Sequence, residues 1–188
     1  MILFSQIITN IIIIDFLPEL NLASELEEYC KSQAPTTLIS PEDEQDFLNI
    51  LKIIAKGAPE EGVLIHLLAH GNIDRSYFGK NSDFKFPWSI FGEPLTAINQ
   101  KCGGRLIINA SLTCYSEPLM FLKYAHRDIY HAAIFSTTER SPQAIMQNIN
   151  IYNKCINSDS VVSAITQEND AISDGSEPPI RPFAYIGC

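Results

Sequence analysis

The sequence predicts an α/β domain built on a doubly wound, mostly parallel sheet with helices on both faces. Two observations carry that expectation. Short apolar runs rich in Ile, Leu and Val recur from near the start to near the end of the chain. Such runs suit strands buried on both faces. Between them lie segments with helical apolar spacing, and parallel neighbours need crossover helices to connect them. Right-handed crossovers would distribute those helices over both faces of the sheet.

Taken in order, Asn10 to Phe16 (NIIIIDF) is a β-branched run that predicts the first buried strand. Leu22 to Tyr29 (LASELEEY) has helical spacing, with Glu25, Glu27 and Glu28 on its solvated face. A short strand is predicted over Thr36 to Ile39, ending at Ser40-Pro41. Pro41 and the acids Glu42, Asp43 and Glu44 then predict a helix N-terminus, where negative charge meets the positive end of the helix dipole. That helix carries Phe47, Leu48, Ile50, Leu51, Ile53 and Ile54 before Gly57.

Val63 to Ala69 (VLIHLLA) predicts the next buried strand and runs straight into His70-Gly71. Tyr77 to Trp88 is aromatic and turn-rich, with Gly79 to Ser82 as the turn of a small hairpin. A helix is predicted from Ser89 to Gln100, stopping near Gly103-Gly104, and a strand from Arg105 to Ala110. Pro118 to Asp128 reads as helix, His131 to Ser136 as strand, and Pro142 to Cys155 as a further helix. In the polar tail, Val161 to Thr166 reads as helix, Asp174 to Pro179 as loop and Phe183 to Ile186 as a last strand. No internal repeat or low-complexity tract interrupts the pattern, so a single domain over 1–188 is expected.

Composition removes several classes of function. The 188 residues are 46% hydrophobic and 19% charged, ordinary for a globular protein. A net charge of -9 with no basic run argues against a phosphate-backbone binder, so no nucleic-acid partner is expected. The apolar run Ile11 to Ile14 falls far short of the ~20 residues that span a bilayer, so no membrane association is expected. Met1 to Gln6 lacks a basic leader and a small-residue cleavage site, so no secretory signal is expected. Cysteines at 30, 102, 114, 155 and 188 form no C-x-x-C pair and no framework. Reduced thiols in a cytoplasmic protein are the expectation.

The chemistry-bearing residues sit where two strands end. In open α/β sheets, sites form outside the carboxyl ends of the strands. His70-Gly71 closes the strand that starts at Val63, and Cys114 follows the strand that starts at Arg105. Neighbouring strands are about 4.8 Å apart, so the two ends can face one cleft. A thiolate is a strong nucleophile, and imidazole can protonate a leaving amine near neutral pH. Gly71, without a Cβ, admits a substrate carbonyl to its N–H, and the Cys114 N–H, expected near the start of the helix opened by Pro118, offers a second oxyanion donor.

The runs IHLLAHGN (Ile65 to Asn72) and RLIINASLTCYS (Arg105 to Ser116), separated by a hairpin, resemble the clan of caspases, metacaspases, separases and CHAT-domain peptidases. Members share an apolar strand ending in His-Gly and another ending in a small residue plus Cys. Thr113-Cys114-Tyr115-Ser116 is similar to the Ala-Cys-Tyr-Ser form of bacterial caspase-like and CHAT proteins. The order of elements matches over nearly the whole chain. The resemblance implies a caspase-hemoglobinase-like fold and a cysteine endopeptidase, with His70 as general acid/base, Cys114 as nucleophile and Gly71 with Cys114 as oxyanion hole. The animal signature Q-A-C-[RQG]-G is absent. Ser111 is the alternative occupant of the strand-end position. The short interval from Cys114 to the next strand implies a single uncut chain.

Blander readings stand beside these. A His at a strand end is often a core or capping residue, and free Cys is commonly buried. His66 and His70 have H-x-x-x-H spacing, but Leu67 replaces the Glu of a zinc-protease motif and no third ligand is evident, so no metal is expected and His66 reads as a packed strand residue. His126 and His131 read as structural. No phosphate-binding glycine loop occurs, and no cofactor is expected.

In this clan the pocket for the residue before the cut sets the substrate. The charged candidates here are Asp74, Arg75, Glu117, Glu139 and Arg140; Glu139 and Arg140 follow the strand HAAIFS, at the same cleft edge. Overall acidity favours a basic preferred residue. The resemblance to small bacterial members implies a role in defence or programmed death, cutting a protein partner, with a separate sensor or activator protein. Two other functions fit the same fold: a catalytically inert caspase-like module that docks a protein, and a flavodoxin-like domain that binds a small molecule.

Overall fold

A computed structural model describes residues 8–81, 83–138, 144–157, 161–173 and 183–187. Two sheets organise them. The larger has six strands and the smaller has three.

β1 (Asn10–Asp15) pairs in parallel with β2 (Thr36–Ile39) on one side and β3 (Val63–Leu68) on the other. β3 pairs in parallel with β7 (Leu106–Ala110), and β7 with β8 (Ala132–Ser136). β9 (Phe183–Gly187) closes the row antiparallel to β8. Every residue of β3, β7 and β8 is buried, as expected of strands covered on both faces. Strand pleating separates the two faces: Ile11 and Ile13 pack in one apolar cluster while Ile12 and Ile14 pack in the other.

The first of those clusters also takes Leu26 and Cys30 of α1 (Ala23–Lys31) and Tyr152 of α5 (Ala144–Asn157). The second takes Phe47, Ile50, Leu51 and Ile54 of α2 (Glu44–Gly57), with Leu95 and Ile98 of α3 (Gly92–Lys101). Helices therefore cover both faces, which is the doubly wound arrangement expected. α2 starts later than Pro41 suggested. The Asp43 carboxylate accepts from the Asp46 N–H at 2.8 Å, satisfying an N-terminal amide that Pro41 has no side chain to cap. The predicted helix over 89–100 divides into a 3₁₀ turn (Trp88–Phe91) and α3. α4 (Pro118–Ala125) ends before Asp128, and α6 (Val161–Ile172) runs past Thr166. The predicted opening of α5 at Pro142 and the loop at Asp174 to Pro179 lie outside the described residues.

The small sheet consists of β4 (His70–Gly71), β5 (Tyr77–Gly79) and β6 (Lys85–Pro87), all antiparallel, so the predicted hairpin forms with His70-Gly71 as its third, edge strand. Aromatic packing seats it on the body. Phe78 stacks on Phe91 at 4.9 Å and meets Trp88 at 4.6 Å, while Phe86 lies 5.0 Å from Phe47 of α2. Among the described residues, no helix is long and apolar enough to cross a membrane.

Candidate active site

β3 and β7 are neighbours, and their carboxyl ends lead to His70-Gly71 and to Cys114 respectively. The chain closes the remaining gap. Beyond Leu68 it enters β4, where His70 pairs with Gly79 and Gly71 with Phe78. Beyond Ala110 it makes a loop, Ser111 to Ser116, that folds over the end of β3. The Thr113 hydroxyl donates to the Leu67 carbonyl at 3.0 Å, which ties the loop to β3 three residues before His70.

Contact between the two segments is direct. A methyl group placed on Gly71 would lie 1.7 Å from the Cys114 carbonyl oxygen and 2.8 Å from its carbonyl carbon. Glycine is required here for close approach of two backbones. His70 is exposed and Cys114 is partly exposed, so both face solvent at one rim. The other thiols with described side chains differ: Cys30 and Cys102 are buried, and burial pushes the Cys30 thiol up to about 12 and raises that of Cys102 as well.

The Cys114 loop is held from several directions. The Ser116 hydroxyl donates to the Ala110 carbonyl at 2.7 Å and accepts from the Ser136 N–H at 2.8 Å. The Ser116 N–H donates to Ser136 O at 2.9 Å, and Tyr115 N–H to Thr138 O at 3.3 Å. Tyr115, directly after Cys114, has φ +49°, a left-handed conformation that costs an aromatic residue about 1 kcal/mol or more and persists because these bonds fix it. Ser111, the alternative nucleophile, is fully buried with its hydroxyl facing the Asn109 and Asn148 side-chain oxygens, so it cannot meet a peptide. The helix expected to open at Pro118 does so: α4 begins there with Glu117 as its cap residue, and Cys114 lies outside it, three positions before that cap.

Around His70 lies a cavity of about 480 Å³, lined also by Gly71, Tyr77, Lys80 and Lys85. Lys80 pairs with Glu19 at 3.0 Å. The Glu19 carboxylate is held below its usual range by its own backbone N–H and by Lys80, with a smaller pull from the His70 imidazole. Of the charged substrate-pocket candidates, Asp74 is exposed and accepts from the Ser76 N–H at 2.9 Å and from the Asn72 amide, closing its own loop. Those bonds, the Ser76 amide first, hold its carboxyl below the usual range. Arg75 reaches Glu117 at 3.4 Å, linking the loop after Gly71 to the segment after Cys114, and one Glu117 oxygen, Oε2, is buried without a hydrogen-bond partner. Glu139 and Arg140 lie outside the described residues. Among the described residues, no group of His, Cys, Asp and Glu could hold a metal.

Beneath the Cys114 loop lies a buried polar row: His66, expected as a packed strand residue, and Ser111, with Tyr152, Asn109 and Asn148, which the sequence reading passed over. A signal was present, since Asn109 interrupts an otherwise apolar strand, and Asn148 and Tyr152 are four apart on one helix face.

A mostly parallel six-stranded α/β sheet of this strand order, flanked by helices, has the architecture of a caspase-like fold. No family model matches the chain, and no curated protein does. Among solved structures 154 chains match. One, the crystal structure of caspase-1 from Spodoptera frugiperda, aligns with a TM-score of 0.62 at 12% identity, covering 97% of this chain and 87% of that one. The likeness at that identity is one of fold, and the fold is caspase-like.

Proposed function

We propose that this protein is a cysteine endopeptidase with a Cys114–His70 dyad. The observation that carries the reading is the backbone contact between Gly71 and Cys114, which brings the His-Gly and Cys segments to one rim of a caspase-like fold. In the proposed reaction the Cys114 thiolate attacks the scissile carbonyl carbon. The carbonyl π electrons move to oxygen, and that oxyanion is met by the Gly71 and Cys114 N–H groups. The C–N bond then breaks as the His70 imidazolium gives its proton to the leaving amine. Water, deprotonated by His70, hydrolyses the thioester and restores the thiol.

The substrate is a protein partner, with a basic residue preferred before the cut because the chain carries a net charge of -9. The charged candidates for that pocket are Asp74, Arg75, Glu117, Glu139 and Arg140, of which the carboxylates suit a basic residue. The setting is cytoplasmic, in bacterial defence or death signalling, with a separate sensor or activator protein.

Iodoacetamide labelling together with reporters carrying Arg, Lys or Asp before the cut tests this reading. Alkylation of Cys114 with Cys30 and Cys102 spared, and loss of cleavage by about 10³-fold or more in Cys114→Ala and His70→Ala, are expected. A Cys114 that stays unmodified, with no cleavage of any reporter, removes the endopeptidase reading. A biological effect that survives Cys114→Ala points instead to a protein-docking module.

A further inference from the structure

The apolar layer between the six-stranded sheet and α5 contains a row of polar side chains. His66 of β3 meets the Tyr152 hydroxyl. That hydroxyl accepts from the Asn109 amide at 2.7 Å, and the same amide donates to the Asn148 side-chain oxygen at 3.0 Å. Asn148 Oδ1 also faces the Ser111 hydroxyl at 2.7 Å. The Ser111 N–H donates to Asn109 Oδ1 at 3.0 Å, and its single hydroxyl proton is shared between that oxygen, at 2.5 Å, and Asn148 Oδ1. His66, Asn109, Asn148 and Ser111 have no exposed surface.

Burying a polar group costs free energy unless its bonds are remade, and apolar packing of the same volume is commonly as stable or more so. A connected polar row is therefore poorly explained by stability and well explained by geometry, because such networks specify one arrangement. The row ends on Ser111, the first residue of the loop that carries Cys114 three positions later. The loop's other hydroxyl ties go to backbone carbonyls of β3 and β7. Asn148 comes instead from a helix on one face of the sheet, 37 residues further along the chain.

We infer that Asn148 is a positioning residue for Cys114: through Ser111 it fixes how far the loop rises above the carboxyl end of β7, and hence where the sulfur stands relative to His70. The inference rests on the endopeptidase reading, but its geometry can be read without catalysis. Every member of the row is buried, so none is placed to touch a substrate. Removal of the row displaces the nucleophile and leaves the binding surface in place, so the effect falls on kcat and not on KM. A displacement of about 1 Å costs on the order of 10²-fold in rate.

The test compares Asn148→Ala, Asn148→Asp and Ser111→Ala with Asn150→Ala, whose side chain on the same helix bonds Glu168 and stands outside the row. Asn148→Asp keeps the Oδ1 acceptor in nearly the same volume. Two readouts are taken on folded protein, checked by near-ultraviolet circular dichroism: kcat and KM on the best reporter, and the pH profile of Cys114 alkylation resolved by peptide mapping. Asn148→Ala and Ser111→Ala are expected to lower kcat about 10- to 100-fold with KM nearly unchanged and to alter the alkylation profile. Asn148→Asp recovers most of the loss, and Asn150→Ala matches wild type. Equal behaviour of Asn148→Ala and Asn150→Ala overturns the inference. Where Asn148→Ala does not fold, Ser111→Ala alone decides, since it removes one oxygen atom. Where wild type cleaves no reporter, the alkylation profiles alone decide whether Asn148 sets the position of the sulfur, separately from the fate of the endopeptidase reading.

Discussion

At position 71 the side chain is a single hydrogen, and the space a methyl group would need is taken by the carbonyl oxygen of Cys114. Backbone atoms do not yield as the far end of a flexible side chain does, so Gly71→Ala must push the two segments apart. The expected cost is about 1–3 kcal/mol or more, as for overpacking in a dense interior. A drop in the urea midpoint at unchanged m-value checks it. The displacement also separates Cys114 from His70, so reporter cleavage is expected to fall further than the melting temperature implies. If Gly71→Ala melts and cleaves like wild type, the two segments are not in contact. The strained Tyr115 belongs to the same local design: its left-handed backbone turns the chain sharply after Cys114, toward the tie between Ser116 and the end of β8.

The hairpin β5–β6 lacks a core of its own and borrows one from Phe16, Phe47 and Phe91. Phe78 is the common member of these contacts and also the strand partner of Gly71. Phe78→Ala is therefore expected to cost about 3–5 kcal/mol, as large aromatic truncations in cores do, and to loosen β4. Denaturant melts supply the first quantity, and faster amide exchange at His70 and Gly71 the second. Element identity in this region was legible: turn residues between aromatic runs marked the hairpin, and short apolar or β-branched runs marked the strands of the large sheet. Helix starts were less so. Pro41 is permitted in a first turn but caps nothing, whereas Asp43 does. Asp43→Ala should cost about 1 kcal/mol, read as a lower melting temperature, while Pro41→Ala leaves the capping bond in place. The approach of the Gly71 and Cys114 backbones was legible in outline because strand ends in a parallel sheet share one rim. The anchoring of the Cys114 loop by Asn148 was not, because helix-to-loop contacts between residues far apart leave no periodic trace in sequence.

Across the whole molecule, the cost of the polar row should appear as acid sensitivity. His66 is entirely buried in the middle of the sheet, its Nδ1 has no hydrogen-bond partner, and burial lowers its imidazole from 6.5 to about 3. In the unfolded chain the same imidazole takes up a proton near pH 6.5. Between about pH 6.5 and pH 3 the unfolded state therefore binds the extra proton, so native stability falls as pH falls, by up to about 1.4 kcal/mol per unit from this one group. His131, lowered chiefly by burial and then by Lys123, adds in the same direction. Asp15, raised chiefly by burial, acts oppositely, because its native form holds a proton that the unfolded form has released. Subtracting a His66→Gln variant from wild type isolates the His66 contribution. Urea titrations at pH 7.0, 6.0 and 5.0 are expected to show wild type losing stability faster than His66→Gln, with the gap approaching about 1.4 kcal/mol per unit below pH 6. Parallel curves for the two proteins would mean that the imidazole is hydrated or shares a proton in the native state, and that the row beneath the Cys114 loop is wetter than the geometry of Tyr152, Asn109 and Asn148 describes.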